Sequence, residues 1–290
     1  MIASMSKRQL KGIHRLLHGG GRSVYAFRDL CKLLRSSRFE RSLPKTIAIR
    51  ELLFQLQQAG IVRSVKLQSE HYAHVTRWLI TSLSPSPMEV GLSLRTGSYV
   101  CHGAAVFLHG LTEQFPRTIY VNKEQTPKPP PRGVLTQAAI NRAFAKPQRS
   151  SRHAYRYEKR RIVLVSGKHT HNLGVVNHPS QRLRLTNLER TLIDITVRPR
   201  YAGGVFQVAT AFATAASHAS LSTLRSYLAH MNYRYPYHQA LGFYLQRAGI
   251  AAKALRPLQD LGLEFDFYLD YSMASPRYDS DWRVFYPRGV

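Results

Sequence analysis

Residues 46–76 read "TIAIRELLFQLQQAGIVRSVKLQSEHYAHVT", and this stretch decides the fold of the first part of the chain. Its first half predicts a helix that Thr46 can cap and that ends at Gly60. The apolar stripe of this helix consists of Ile49, Leu52, Leu53 and Leu56. The second half alternates apolar and polar residues in two short runs around a polar turn, which predicts a β-hairpin.

Two more amphipathic helices are predicted before this stretch, in "MSKRQLKGIHRLL" (5–17) and in "SVYAFRDLCKLLRSS" (23–37), where Ser23 is placed as a cap. Three short helices followed by a basic hairpin is the plan of a winged helix-turn-helix domain. In that plan the third helix enters the major groove of DNA and the hairpin, or wing, reaches the neighbouring backbone. A three-helix bundle with a solvated basic face is the alternative.

The winged-helix plan predicts which residues contact DNA. Those expected near the start of the third helix and on the wing are Arg41, Lys45, Thr46, Ile47, Arg50, Arg63 and Lys66. Arginines and lysines at these places can bind phosphates or base edges.

The chain as a whole is strongly basic. It has 42 Lys and Arg against 16 Asp and Glu in 290 residues, a formal charge of +26, and a pI near 10.6. Such a field attracts polyanions, nucleic acid first and an anionic membrane surface second, but it does not separate DNA from RNA. Residues 255–290 have 4 Lys and Arg against 6 Asp and Glu, so this acidic end belongs to a different surface.

The sequence predicts a cytoplasmic protein. No apolar run reaches the roughly 18 residues that a membrane-spanning helix needs, and the start of the chain lacks the features of a signal peptide. Cys31 and Cys101 each lie in an apolar pattern and are expected to be reduced core residues.

The predicted fold class is α+β, with the winged helix in residues 1–80, a linker in residues 81–88, and a larger mixed α/β domain in residues 89–290. The linker is indicated by two prolines in the serine-rich "TSLSPSPMEVG". The larger domain is expected to contain a helix in residues 97–111, several strands, and three apolar helices between residues 203 and 249.

The stretch "RLRLTNLERTLIDITVRP" (182–199) holds two carboxylates, Glu189 and Asp194, and the first interpretation to test is a general acid and base. Thr186 and Glu189 instead match a capping box at the start of a helix. Glu189 and Asp194 would then diverge by about 140° around that helix. Arg190 and Asp194, at i and i+4, are expected to pair on its surface.

Other clusters carry no catalytic or metal signature. Glu264, Asp266 and Asp270 are expected on one face of a strand, but the segment contains no lysine for a metal-dependent nuclease. The segment "HTHNLGVVNHP" lacks cysteines and a regular ligand spacing. Cys101, His102 and His109, predicted on one helix, have no third group to orient them. The sequence predicts a binding protein without cofactor or metal, and not an enzyme.

Three segments carry a family resemblance: "SYVCHGAAVFLHGLTEQFPRTIYV" (98–121), "LTNLERTLIDITVRPRYAGG" (185–204) and "YRYPYHQALGFYLQRAG" (233–249). They resemble the AbiEi family, the antitoxins of bacterial abortive-infection, type IV toxin–antitoxin systems. The resemblance implies a DNA-binding N-terminal domain that represses the operon at inverted repeats. It also implies a C-terminal domain that neutralises a nucleotidyltransferase-like toxin without a stable complex. It assigns Glu189, Arg190 and Asp194 to an antitoxin motif.

The sequence is therefore compatible with three functions: an antitoxin and autorepressor that binds double-stranded DNA, a general RNA- or DNA-binding protein, and an enzyme acting on nucleic acid. They are preferred in that order. The second is favoured by residues 81–254, whose 23 Lys and Arg against 6 Asp and Glu exceed what an operator reader needs.

Overall fold

The computed structural model describes residues 5–36, 47–129 and 133–290. The fold is mixed α and β, as the predicted α+β class requires. The chain divides into two compact units. The first comprises Met1–Gly97, His153–Val163 and Asn177–Leu183, and the second comprises Ser98–Arg152, Leu164–Val176 and Arg184–Val290.

The first unit combines short helices with a small antiparallel sheet. Its elements in chain order are α1 (Lys7–His18), β1 (Val24–Tyr25), α2 (Phe27–Leu34), α3 (Ile49–Gln58), β2 (Val62–Leu67) and β3 (Val75–Ile80). The strand order is β1–β3–β2, with β1 and β2 each antiparallel to β3. The predicted apolar stripes of the three helices form the core, since Ile13, Leu30 and Leu56 are fully buried.

Capping explains how these helices begin. The Ser6 hydroxyl accepts from the Gln9 amide, and the Gln9 side chain accepts from the Ser6 amide, which completes a capping box at α1. The predicted cap of α2 is wrong, because the N-cap is Ala26 and the Ser23 hydroxyl donates to Glu89 at 2.6 Å. Thr46, the predicted cap of α3, lies outside the described residues, and Ala48 is the N-cap residue.

The segment predicted as a linker, 81–88, is folded. It contains a 3₁₀ turn (Thr81–Leu83) and the beginning of α4 (Pro87–Leu92). Ser86 and Glu89 form a second capping box, and proline at the first helical position suits a helix start. The prolines and serines that suggested a linker therefore begin a helix, and the first compact unit continues to Gly97.

A second hairpin returns to the first unit from a distant part of the chain. It consists of β6 (Ala154–Tyr157) and β7 (Arg160–Val165), joined by a turn at residues 158 and 159, and residues 153–163 belong to the first unit. Gln68 and Arg156 form an isolated antiparallel bridge, in which the Arg156 amide donates to the Gln68 carbonyl at 2.7 Å.

The second unit contains strands β4 (Tyr99–Cys101), β5 (Thr118–Asn122) and β9 (Arg184–Thr186) and most of β8 (Val175–Asn177). These strands are hydrogen-bonded in the order β5–β4–β9–β8. Strand β4 is antiparallel to β5 and parallel to β9. The helices that follow the strands are α5 (Gly103–Leu108), α6 (Gln137–Phe144), α7 (Leu188–Val197), α8 (Val205–Ala215), α9 (Leu221–Met231), α10 (Tyr237–Arg247) and α11 (Ala252–Gln259). Helices α8 to α10 confirm the three predicted apolar helices.

The helix predicted over residues 97–111 is wrong in its first half, which is strand β4. Tyr99, Val100 and Cys101 are all fully buried, and a strand buried on both faces has the same continuous apolar sequence as a buried helix. The turn into α5 needs Gly103, because a Cβ there would lie 2.9 Å from the Tyr201 carbonyl oxygen.

The chain ends in a small sheet of β10 (Phe267–Tyr268), β11 (Arg277–Asp279) and β12 (Val284–Tyr286), with β12 in the centre. Trp282, just before β12, is buried against α10 where Gly242 leaves room for its ring. The predicted acidic strand face is wrong, because β10 contains neither Asp266 nor Asp270. Asp266 instead pairs with Arg283 at 3.0 Å.

Candidate functional site

Helix α3 carries an exposed face whose residues can recognise bases. Arg50, Phe54 and Gln57 are exposed and lie at i, i+4 and i+7, opposite the buried stripe. Phe54 is 56% exposed, although the other apolar residues of the helix are turned toward the core. Arginine suits guanine, glutamine suits adenine, and an apolar side chain suits the thymine methyl group. The face therefore has the side chains of a base-reading surface.

Of the two predicted residues of this region that the structure describes, Ile47 and Arg50, Arg50 lies on that face. Within the described ranges, its guanidinium forms no ion pair or hydrogen bond with another residue. Ile47 is half-buried and packs against the core of the first unit, at the position of a hydrophobic staple. Arg41, Lys45 and Thr46 lie outside the described residues. Phe54 and Gln57 were not predicted, although their place outside the apolar stripe was a usable signal.

The two residues predicted on a wing, Arg63 and Lys66, point to opposite faces of the β2–β3 hairpin. Side chains alternate along a strand, so Arg63 and Lys66, three apart in β2, cannot share a face. Arg63 donates to the Tyr157 hydroxyl at 3.2 Å and lies 3.8 Å from the Glu158 carboxylate. Lys66 is exposed. The β2–β3 hairpin thus leaves Lys66 exposed, whereas Arg63 is held by the β6–β7 hairpin.

The predicted capping box at α7 is wrong by one residue. Thr186 is the last residue of β9, and its buried hydroxyl is 2.7 Å from that of Thr191. Asn187 is the N-cap, and its side chain accepts from the Arg190 amide at 3.0 Å. Glu189 does not reach back to the cap but accepts from the Ser220 amide at 3.0 Å, which holds the start of α9. Glu189 therefore has a structural role.

The Arg190–Asp194 pair exists, but it is buried and not on the surface as predicted. The Arg190 Nε donates to the Asp194 Oδ1 at 2.9 Å, and the side chains are 4% and 9% exposed. Arg190 Nη1 also donates to the Thr170 hydroxyl at 3.0 Å and to the Leu173 carbonyl at 2.8 Å. Burial opposes the charge, but Asp194 raises the pKa of Arg190, so the guanidinium stays charged.

A second carboxylate, Glu124, completes this buried cluster and was not foreseen from the sequence. It lies 3.9 Å from Arg190 Nη2 and its side chain is 6% exposed. Its carboxylate accepts from the Thr170 amide at 2.7 Å, from the Asn172 amide at 3.1 Å and from the Thr170 hydroxyl. Burial raises the pKa of Glu124, but these hydrogen bonds and Arg190 outweigh it and lower the pKa. Glu124, Arg190 and Asp194 are hereafter called the buried ionic cluster.

The buried ionic cluster joins elements rather than exposing reactive groups. Glu124 follows β5, Arg190 and Asp194 lie in α7, and Thr170 and Asn172 belong to the loop between β7 and β8. Tyr99 extends the cluster, since its hydroxyl donates to Glu124 at 3.3 Å and accepts from the Asn122 side chain at 2.6 Å. Burial raises the pKa of Tyr99, so its hydroxyl stays protonated as a donor. The arrangement is suited to fixing a loop on a sheet.

Cys101 and His102 are adjacent, with His102 Nδ1 3.0 Å from the Cys101 sulfur. Burial raises the pKa of the Cys101 thiol well above its ordinary value and lowers the pKa of His102 to about 4. Both groups are therefore neutral at physiological pH, the opposite of a thiolate paired with a base. His109, predicted on the same helix, ends α5 instead and contacts the Thr186 carbonyl at 2.7 Å.

Neither a metal cluster nor a membrane span is found in the residues that the structure describes. No group of three or more His, Cys, Asp or Glu side chains there is arranged to hold a metal ion. The rings of His169 and His171 lie 4.3 Å apart, while His178 accepts from backbone amides of its own turn. No helix in the described ranges is long and apolar enough to cross a membrane.

Comparison with known proteins gives one informative likeness. No family model and no curated protein matches the chain. The crystal structure of the RV2827C protein from Mycobacterium tuberculosis is similar over 98% of this chain and 92% of that chain, with a TM-score of 0.58 and 13% sequence identity. At that identity the likeness concerns the fold alone, and it extends over both units.

Proposed function

We propose that this protein is the antitoxin of a bacterial type IV toxin–antitoxin system and a cytoplasmic, DNA-binding repressor of its own operon. The observation that carries the DNA-binding part is the exposed face of α3. Phe54 is exposed between Arg50 and Gln57 on a helix whose other apolar side chains face the core. The major groove of double-stranded DNA offers guanine, thymine methyl and adenine edges to those three side chains.

The order of elements supports a winged helix-turn-helix as the reader. Helices α1, α2 and α3, with the short strand β1 between the first two, precede the antiparallel hairpin β2–β3. In such domains the helix before the hairpin enters the groove and the hairpin lies along the backbone. Lys66, exposed on β2, is then the phosphate contact of the wing. The formal charge of +26 supports a polyanionic partner.

The antitoxin part rests on the resemblance to the AbiEi family. Its three motif segments all fall in the second unit, mainly in β4–β5, in α7 with the 3₁₀ turn after it, and in α10. The partner proposed from this resemblance is a nucleotidyltransferase-like toxin, neutralised without a stable complex. In the second unit the motif residues Arg190 and Asp194 belong to the buried ionic cluster and Glu189 holds α9, so we assign them to the stability of the antitoxin domain and not to catalysis.

Two experiments test the proposal. Footprinting the full chain on the DNA upstream of its own gene should protect a pair of inverted repeats. Co-expression with the neighbouring toxin should restore growth. Protection of the DNA without rescue of growth would support a repressor and contradict the antitoxin role. Rescue without protection would support the antitoxin role and contradict DNA binding.

A general RNA- or DNA-binding role is the second candidate, because the positive charge of residues 81–254 is large. Competition distinguishes the two. The competitors are structured RNA and unrelated duplex DNA. If the RNA displaces the protein from its upstream DNA at a concentration no higher than the duplex requires, the general role is favoured. An excess of RNA that leaves the footprint intact favours the repressor.

A further inference from the structure

The β6–β7 hairpin carries a group of exposed cations beside the wing. Arg156, Lys159 and Arg161 are all exposed. Arg156 and Arg161 are direct cross-strand partners in the hairpin register, so both side chains project from the same face. We call Arg156, Lys159 and Arg161 the hairpin cations.

This arrangement has a cost in the isolated chain. Like charges directly opposite each other on neighbouring strands destabilise a sheet. One carboxylate, Glu70 at 2.6 Å, pairs with Arg156 on the surface, and both side chains are more than half exposed. For Lys159 and Arg161 no acidic partner occurs within the described residues. An anion bound from outside would offset the repulsion.

The hairpin is held in a defined place next to the wing. Backbone hydrogen bonds in both directions join Gln68, at the end of β2, to Arg156. The ring of Tyr72, from the turn of the wing, stacks on His153 with centroids 4.0 Å apart. Arg63 of the wing reaches the Tyr157 hydroxyl. These contacts join the hairpin and the wing into one surface.

The hairpin also contacts Arg63, the wing residue that was predicted to bind DNA. Arg63 was predicted to bind a phosphate, but the Tyr157 hydroxyl and the Glu158 carboxylate occupy it. Lys159 follows Glu158 in the turn of the hairpin, on the element that occupies Arg63. The same hairpin that contacts Arg63 thus presents the exposed cation Lys159 beside it.

We propose that the β6–β7 hairpin is a second backbone-binding element, in which the hairpin cations bind phosphates of the double-stranded DNA that the wing contacts. This rests on the DNA-binding function proposed above and extends its site to a part of the chain about 90 residues away from the wing. Contacts to phosphate carry no base information, so the hairpin strengthens binding to all duplex sequences equally.

The test compares two full-length double variants with the unchanged protein. Lys159→Gln with Arg161→Gln removes two hairpin cations and leaves the Arg156–Glu70 pair in place. Lys253→Gln with Arg256→Gln removes the same charge from exposed positions on α11, in the second unit. Fluorescence anisotropy with a labelled duplex gives the slope of log affinity against log salt for each protein.

Loss of two phosphate contacts should reduce the magnitude of that slope by about 1.8. Between 50 and 200 mM salt both proteins lose affinity, and the fold-loss of the hairpin variant should be about 12 times smaller than that of the unchanged protein. The α11 variant should keep the original slope. Upstream DNA and unrelated duplex should be affected to the same extent.

Equal slopes for the hairpin and α11 variants would overturn the hairpin as a specific contact. An unchanged slope with a lowered unfolding midpoint would assign the cations a structural role and overturn it as well. If the hairpin variant binds structured RNA more weakly but binds duplex DNA unchanged, the proposed contact to duplex DNA is also overturned. A flat salt dependence in the unchanged protein is the distinct result that removes the proposed DNA-binding function itself.

Discussion

Arg50 and Arg190 both lie in the first turn of a ten-residue helix, yet their surroundings are opposite. Arg50 of α3 is exposed and unpaired among the described residues. Arg190 of α7 is 4% exposed and bonds to a carboxylate, a hydroxyl and a carbonyl group. A basic residue near a helix start is therefore not by itself a binding residue. The structure leaves Arg50 exposed, whereas Arg190 holds together elements of the second unit.

The comparison is tested most strongly by removing each arginine. Arg190→Ala leaves Glu124 and Asp194 as buried carboxylates without their cation, and breaking such a pair costs about 3–5 kcal/mol of unfolding free energy. Arg50→Ala should change the unfolding free energy by no more than about 0.5 kcal/mol. Urea unfolding of both variants gives the two values. A loss below about 1 kcal/mol for Arg190→Ala would mean that the cluster does not hold the second unit.

The reverse difference is expected in DNA binding. Arg50→Ala should weaken binding to the upstream DNA by about 1–3 kcal/mol and relax its preference over unrelated duplex, because a base contact is lost. Lys66→Ala should weaken both sequences equally and lower the salt slope by about 0.9. Anisotropy titrations on both duplexes measure this. If Arg50→Ala lowers the affinities for upstream DNA and for unrelated duplex by the same factor, Arg50 binds phosphate and not a base.

The buried ionic cluster also predicts a pH dependence. The pKa of Glu124 lies below its ordinary value of 4.5 in the folded chain, so ionised Glu124 stabilises the fold at neutral pH. This contribution is complete above about pH 4.5 and is lost as the pH falls through the lowered pKa. Within that window its slope approaches about 1.4 kcal/mol per pH unit.

Glu124→Gln removes the titrating group while keeping similar size. The difference in unfolding free energy between the unchanged protein and Glu124→Gln should therefore shrink as the pH is lowered from 6 to 3. Arg190 stays charged throughout, so the change belongs to the carboxylate. A difference that is constant over this range would show that the pKa of Glu124 is the same in the folded and unfolded chains, and that the cluster does not favour its ionised form.

The smallest expected effect concerns Phe54. If its ring contacts a thymine methyl group, replacing that thymine by deoxyuridine removes one buried methyl, about 0.8 kcal/mol. The same replacement should have no effect on Phe54→Ala. Combining each duplex with each protein gives a double-mutant cycle, in which the coupling is the measured quantity. Zero coupling at every thymine of the protected site would place Phe54 outside the groove.

Local patterns predicted the helices well, because each helix needs one apolar stripe that can be read from consecutive residues. The α3 stripe and the β2–β3 hairpin were foreseen in this way, as were α8 to α10. Strand β4 was not, since a strand buried on both faces and a buried helix have the same apolar run. The cap at α7 was misplaced by one residue because Thr186 and Asn187 are both good caps, and burial of Thr186 in β9 decides between them.

The long-range pairings could not be predicted from one sequence. Glu124 meets Arg190 across 66 positions, and nothing in either local pattern indicates the other. The β6–β7 hairpin joins the first unit although 55 residues of the second, Ser98–Arg152, come before it. The linker prediction was wrong for a local reason. A serine- and proline-rich segment is typical of a linker, but Ser86, Pro87 and Glu89 are equally typical of the start of a helix.

We propose that the first unit binds DNA, that phosphate contacts supply the affinity, and that the exposed face of α3 supplies the preference for the upstream sequence. The most direct measurement is the affinity of the full chain for its upstream DNA and for unrelated duplex between 50 and 200 mM salt. If about 6–10 phosphates are neutralised, both affinities should fall by about 10³–10⁵-fold while the preference for upstream DNA persists. A nearly flat salt dependence, or equal affinity for both duplexes throughout, would contradict the claim.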